Sequence, residues 1–94
     1  MLLYPADVRL ESLDDYSACF ERKSGITHIL DAAAAFILQQ AITQPGIDRD
    51  AMLEKLQHSF DDGPEALTPL LDKSLALLLR QGLLFDTDAS DDRR

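Results

Sequence analysis

The chain has 94 residues, 46% of them hydrophobic, and a formal net charge of −8 from 17 acidic and 9 basic side chains. This length fits one compact domain and excludes a second. No apolar run approaches the roughly 18 residues of a membrane-spanning helix and no signal peptide is recognisable, so we expect a cytoplasmic protein without a membrane partner.

The first half of the chain predicts three antiparallel strands. The first lies within residues 6–13, where Val8 and Leu10 supply one buried face. The second, residues 16–22, alternates apolar and smaller or polar side chains, the period of a half-buried strand; its apolar positions are Tyr16, Ala18 and Phe20. The third, residues 26–30, is rich in β-branched residues, which favour strands.

A tight turn joins the second and third strands. With Ser24 and Gly25 as a two-residue turn, Glu21 faces His28 and Phe20 faces Ile29 across the hairpin. A three-residue turn would shift this register, so both remain open.

Two helices follow, each preceded by an aspartate that can cap it. Asp31 precedes a helix predicted over residues 32–43, which ends ahead of Pro45 because proline disfavours helical conformation in the residue before it. Asp48 caps the second helix, which is amphipathic.

The third helix is predicted to begin after a loop at residues 61–64 and a short turn at residues 65–67. Thr68 is the expected N-cap, Pro69 the first helical residue and Gly82 the stop. Residues 83–85 then dock as a short extended segment. We therefore predict an α+β, winged-helix-like domain over residues 1–85, with an N-terminal three-stranded antiparallel sheet followed by three α-helices; residues 86–94 form an acidic disordered tail.

No catalytic constellation is visible, so we expect no enzyme activity, no cofactor and no metal site. His28 and His58 lack metal-ligand spacing, and the single cysteine, Cys19, has no partner for a disulfide. We expect Cys19 to be a buried strand residue, His28 to pair with Glu21 or a backbone carbonyl, and His58 to face solvent.

The third helix has more apolar surface than one packing stripe requires. Leu71, Leu75, Leu78 and Leu79 form a sufficient core face, and Leu70 and Leu77 lie on a flank beside Lys73 and Ser74. Either both flanks are internal, or this flank is one wall of a peptide groove. The edge of the strand at residues 26–30 would be the other wall, provided that residues 6–10 do not pair there.

Several residues together resemble a known family. The sequence Ser24-Gly25-x-Thr27-His28-x-Leu30-Asp31, the alanine-rich helix after it and the ending Gly82-Leu83-Leu84 resemble PqqD-like proteins over residues 5–85. More narrowly, they are similar to the PqqD-family peptide chaperones found with HPr-kinase-related proteins.

The resemblance implies a RiPP recognition element, a non-catalytic module that binds the leader of a ribosomally made precursor peptide by strand addition. Its partners would be that leader and a peptide-modifying enzyme or an HPr-kinase-related protein. The implied peptide-binding residues are Thr27, His28, Ile29 and Leu30 on the strand, and Leu70, Lys73, Ser74 and Leu77 on the helix.

Two other functions are alternatives to peptide binding. The first alternative is a winged-helix adaptor that binds a partner enzyme by another face. A DNA-binding regulator ranks last, because the basic residues form no stripe and nucleic acid is therefore not an expected partner. An edge strand also allows pairing into a homodimer.

Overall fold

The computed structural model describes residues 2–87. Its strands and helices are β1 (Leu2–Pro5), β2 (Val8–Ser12), β3 (Tyr16–Glu21), β4 (Thr27–Asp31), α1 (Ala32–Thr43), β5 (Ile47–Asp48), α2 (Arg49–Ser59), α3 (Pro64–Arg80) and β6 (Leu84–Thr87). No helix in this range is both long and apolar enough to cross a bilayer.

The predicted three-stranded antiparallel sheet is present, in the order β2-β3-β4. It precedes all three helices, so the predicted α+β fold class is confirmed. Strand β2 pairs with β3 and not with β4. The alternative in which residues 6–10 cover the outer edge of β4 is therefore wrong.

A second small sheet was not predicted. It has the order β5-β1-β6, with Leu3 opposite both Ile47 and Asp86. Its strands are two to four residues long, too short for a period-2 pattern to stand out in the sequence. The segment after α3 is extended as predicted, but β6 continues through Thr87, into the segment predicted as a tail; residues 88–94 of that tail lie outside the described residues.

The hairpin between β3 and β4 has a longer loop than predicted. Cys19 lies opposite His28, and the Glu21 N–H donates to the Ile26 carbonyl at 2.9 Å, so residues 22–25 form a four-residue loop. Gly25 adopts the positive φ of +75° at the end of this loop, where its N–H donates to the Glu21 carbonyl. The two-residue and three-residue turns are both wrong.

The face of β3 that meets the helices is the one with fewer apolar residues. Cys19 is fully buried in the core, as predicted, together with Leu30 of β4. Tyr16, Ala18 and Phe20 lie on the opposite face, where Tyr16 is exposed and the Arg9 guanidinium stacks 4.9 Å from the Phe20 ring centre. The half-buried pattern of β3 was correct, but its apolar positions do not face the core.

The two aspartate caps form as predicted. The Asp31 carboxylate accepts from the Ala34 N–H at 2.8 Å, and the Asp48 carboxylate accepts from the Ala51 N–H at 2.8 Å. Helix α1 has the predicted limits, residues 32–43.

Helix α3 begins five residues earlier than predicted, with Gly63 and not Thr68 at the N-cap position. Pro64 is its first residue, so the predicted loop ends at Gly63, and Pro69 lies inside the helix. Two prolines five residues apart are each compatible with a helix start, and local sequence does not choose between them. The end is as predicted: Gly82 has φ +74°, and the Leu83 N–H donates to the Leu78 carbonyl at 2.9 Å.

Candidate functional site

Strand β4 is an edge strand, and the hydrogen-bond pattern shows which of its backbone groups are free. The Glu21–Ile26 pair is hydrogen-bonded, and hydrogen-bonded pairs alternate along an antiparallel ladder. Cys19 with His28 and Ser17 with Leu30 are therefore the next bonded pairs. Thr27 and Ile29 consequently direct their N–H and C=O groups away from β3, towards an edge that no strand occupies within residues 2–87.

The four predicted strand residues divide between the two faces of the sheet. Ile29, with 61% of its surface exposed, lies beside exposed Thr27 on the outer face. Leu30 is buried in the core, and His28 is half-buried on the same face. The free backbone groups at the β4 edge therefore lie between two surfaces. Ile29 is on the outer face of the sheet, and His28 and Leu30 are on the face that meets the core.

His28 makes the side-chain contact predicted for it. Its Nε2 lies 3.2 Å from Oε1 of Glu21, although Glu21 is two positions away from the residue directly opposite His28. The contact survives the change of register because a shift of two residues keeps both side chains on the same face.

Three of the four predicted helix residues lie on one flank of α3. Leu71, Leu75 and Leu78 are buried, and half-buried Leu79 packs against the same core. At about 100° per residue, Leu70, Lys73 and Leu77 lie on one side of this core stripe and Asp72 on the other.

Helix α2 covers the Asp72 side of α3 and not the Leu77 side. The Arg49 guanidinium at the start of α2 binds the Asp72 carboxylate through Nη2 at 2.6 Å and Nε at 3.0 Å. On the other side, Leu77 remains 37% exposed, Lys73 is exposed and Leu70 is half-buried. The interpretation in which both flanks of the helix are internal is therefore wrong for Leu77.

Ser74 differs from its three companions on the flank. Only 5% of its surface is exposed, and it is the one buried polar side chain within residues 2–87. Ser74 therefore belongs to the packed face of α3 and offers little surface to a ligand.

The β3–β4 hairpin and the segment after α3 border one groove, which contains no residue of β4 or α3. It has a volume of about 210 Å³ and is lined by Pro5, Ala6 and Asp7, by Glu21 and Lys23 of the hairpin, and by Gly82 and Phe85, which follow α3. Leu30 and the buried leucines of α3 also belong to one continuous core. The C-terminal end of α3 thus lies near the end of the hairpin from which β4 starts.

Two apolar residues of β3 neighbour the exposed β4 side chains on the outer face and were not among the predicted site residues. Ala18 lies directly opposite Ile29, and Phe20 lies opposite Thr27. The alternation of β3 places Ala18 and Phe20 on one face, but the sequence does not show that this face lies away from the helices.

Two observations concern the reactive side chains of the described residues. No group of three or more His, Cys, Asp or Glu side chains within residues 2–87 is arranged to hold a metal ion. Burial and the negative charge of Glu21 raise the pKa of the Cys19 thiol, the opposite of what a cysteine nucleophile needs.

Comparison with known proteins shows a similarity in fold. No protein-family profile matches the chain, and no curated protein matches its sequence. Among solved structures, the chain is similar to TbiB1 in complex with the TbiA(beta) leader peptide, with a TM-score of 0.67, 17% identity and coverage of 90% of this chain and 98% of the TbiB1 chain. At this identity the similarity establishes a shared fold.

Proposed function

We propose that this chain is a non-catalytic peptide-binding module that takes up the leader of a ribosomally synthesised precursor peptide as an additional strand beside β4. The observation that carries the proposal is the unpaired edge of β4, with the outward backbone groups of Thr27 and Ile29. Support comes from the shared fold with TbiB1, whose solved structure contains a leader peptide.

The bound leader would satisfy the β4 edge and present side chains to two surfaces. Its backbone exchanges hydrogen bonds with Thr27 and Ile29, and alternate side chains fall on opposite faces of the extended sheet. On the outer face they contact Ile29, and on the other they reach the α3 flank at Leu70 and Leu77. His28 and Lys73 complete the polar surroundings of this site.

The charge of the chain indicates which leaders it accepts. A net charge of −8 repels acidic peptides and favours basic or apolar ones. We therefore expect a leader with apolar residues at alternate positions and few carboxylates.

A module without catalytic groups acts through a second protein. In this proposal the chain presents its leader to a peptide-modifying enzyme or an HPr-kinase-related protein in the cytoplasm, where precursor peptides are made. The alternative role is an adaptor that binds such an enzyme by another face and binds no leader.

An NMR titration tests the proposal. The ¹⁵N-labelled full chain is titrated with synthetic leaders of the short precursors encoded beside its gene, and amide shifts are mapped. We expect shifts at residues 27–30 and along residues 70–77, saturating with one binding constant. Shifts confined to other surfaces, or no shifts with any of these leaders, would contradict leader binding at this site.

The adaptor alternative makes a different prediction. A candidate enzyme encoded in the same gene cluster would still bind the Ile29→Pro variant, and leaders would leave the amides of β4 unchanged. A homodimer formed through β4 would also compete with the leader, so the oligomeric state is measured by light scattering at each titration point.

A further inference from the structure

A second groove lies at the tip of the β2–β3 hairpin, away from the β4 edge. It has a volume of about 370 Å³ and is bounded by residues 12–17 of the hairpin on one side and by the N-terminal half of α1 on the other. Its floor is apolar, made by half-buried Leu10, Ala35 and Phe36. Phe36 is held edge-on against Phe60, with the ring centres 5.7 Å apart.

The hairpin tip concentrates exposed apolar surface. Leu13 and Tyr16 line the groove and are 46% and 50% exposed. The Leu13 N–H donates to the Tyr16 carbonyl at 2.8 Å, which closes a two-residue turn and fixes both residues beside the groove, with the Tyr16 side chain on the outer face of the sheet. Single exposed apolar residues are ordinary on a protein surface, whereas two of them at the mouth of an apolar groove favour a binding role.

The rim of the groove is negatively charged. Asp14 and Asp15 form the turn, and both line the groove with no Lys or Arg side chain among the lining residues. Neither carboxylate forms an ion pair within residues 2–87. An occupant that brings positive charge beside an apolar side chain would therefore match both the rim and the floor.

The tip groove is separate from the proposed leader site. It includes none of residues 27–30, and β3 lies between β2 and β4 in the sheet. A peptide segment in the groove would contact none of residues 27–30, although Ser17 and Ala32 of its lining adjoin the C-terminal end of β4.

We propose that the tip groove docks a basic segment of a partner protein in which Lys or Arg stands next to a large apolar residue. The apolar side chain packs on the floor made by Leu10, Ala35 and Phe36, and the cation lies against Asp14 and Asp15. This surface would let the chain hold a partner and a leader at the same time, but its existence does not depend on leader binding.

The test uses the blocked tetrapeptide acetyl-Arg-Phe-Lys-Leu-amide and the ¹⁵N-labelled full chain. We expect saturable amide shifts at Leu10, Leu13, Tyr16 and Ala35, and the same binding to the Ile29→Pro variant. The double variant Asp14→Asn, Asp15→Asn should raise the dissociation constant of the tetrapeptide by about two- to tenfold, the range for loss of partly exposed charge pairs. Asparagine suits turns, so the hairpin should persist.

A matched variant separates local recognition from net charge. Asp61→Asn, Asp62→Asn removes the same two charges from an exposed loop elsewhere and should leave binding unchanged. Equal weakening by both double variants, equally tight binding of acetyl-Glu-Phe-Glu-Leu-amide, shifts only at residues 27–30, or no shifts would each overturn the proposal. Failure of this test would leave the leader titration at β4 unaffected.

Discussion

Replacement of Ile29 by proline tests the free edge of β4 with a single residue. The alternation of the β3–β4 ladder directs the Ile29 N–H away from β3, so its loss removes no bond within the sheet. Edge strands tolerate proline when the missing N–H would have faced solvent. The same change removes a donor that an added peptide strand would use.

The expected loss of affinity follows from one backbone hydrogen bond. The net contribution of one hydrogen bond is about 0.5–1.5 kcal/mol, so its loss should raise the dissociation constant of the leader by about two- to thirteenfold. The pyrrolidine ring also projects towards the incoming strand, so the measured loss should lie in the upper part of this range or beyond it. Leu30→Pro, by contrast, removes a donor to β3 and should cost at least about 1–3 kcal/mol of unfolding free energy, because it leaves the Ser17 carbonyl unpaired.

Fluorescence polarisation with a labelled leader measures the affinity, and thermal unfolding followed by circular dichroism checks the fold. Ser12→Pro is the matched control, because the same alternation directs the Ser12 N–H to the free edge of β2 on the other side of the sheet. It should leave leader affinity unchanged. Wild-type affinity in a folded Ile29→Pro variant would refute strand addition at β4, and so would equal losses in both proline variants.

Three further changes test other parts of the structure. Leu77→Ser should weaken leader binding about three- to tenfold and lower the unfolding free energy by about 1–2 kcal/mol, since Leu77 is only 37% exposed and the change removes partly buried apolar surface; Ala76→Ser, its exposed neighbour, should leave leader affinity unchanged. Gly82→Ala should lower the unfolding free energy by about 1–2 kcal/mol in denaturant titrations, because alanine must adopt φ +74° although its Cβ meets no atom within 4 Å; an unchanged midpoint would contradict this backbone account. Cys19 should react with a thiol reagent only when urea unfolds the chain. Because burial and Glu21 raise the pKa of its thiol in the fold, stability should fall as the pH rises above about 8.5, where the unfolded thiol ionises first; a Cys19→Ala variant should lose this part of the pH dependence.

The helix boundaries that were predictable depend on contacts only a few residues apart. Asp31 and Asp48 cap the N–H groups three residues ahead of them, and Gly82 supplies the left-handed conformation that ends α3. Such interactions require no distant partner, so the identity and spacing of the residues suffice. The start of α3 was misplaced because Pro64 and Pro69 are both compatible with a first helical turn.

The strand edge was a candidate from the sequence, but only the structure shows that it is free. Strand β2 pairs with the side of β3 that is away from β4, and α2 lies on the Asp72 side of α3 and not on the Leu77 side. Both arrangements result from packing among segments that are distant in sequence. The tip groove could not be predicted either, because its two walls are the β2–β3 hairpin and α1, which come together only in the folded chain.

The sequence by itself determined the three central strands, the aspartate caps of α1 and α2 and the size and acidity of the domain, because each depends on local backbone preferences or on composition. The tertiary structure decided the register of the hairpin, the face of β3 that is buried, and the second sheet in which Leu3 meets Asp86. Local preference is nearly equal for the two faces of a short strand and for loops that differ by two residues. The burial of Cys19 and Leu30 against the helices resolves these choices, and it leaves Ile29 exposed at the edge.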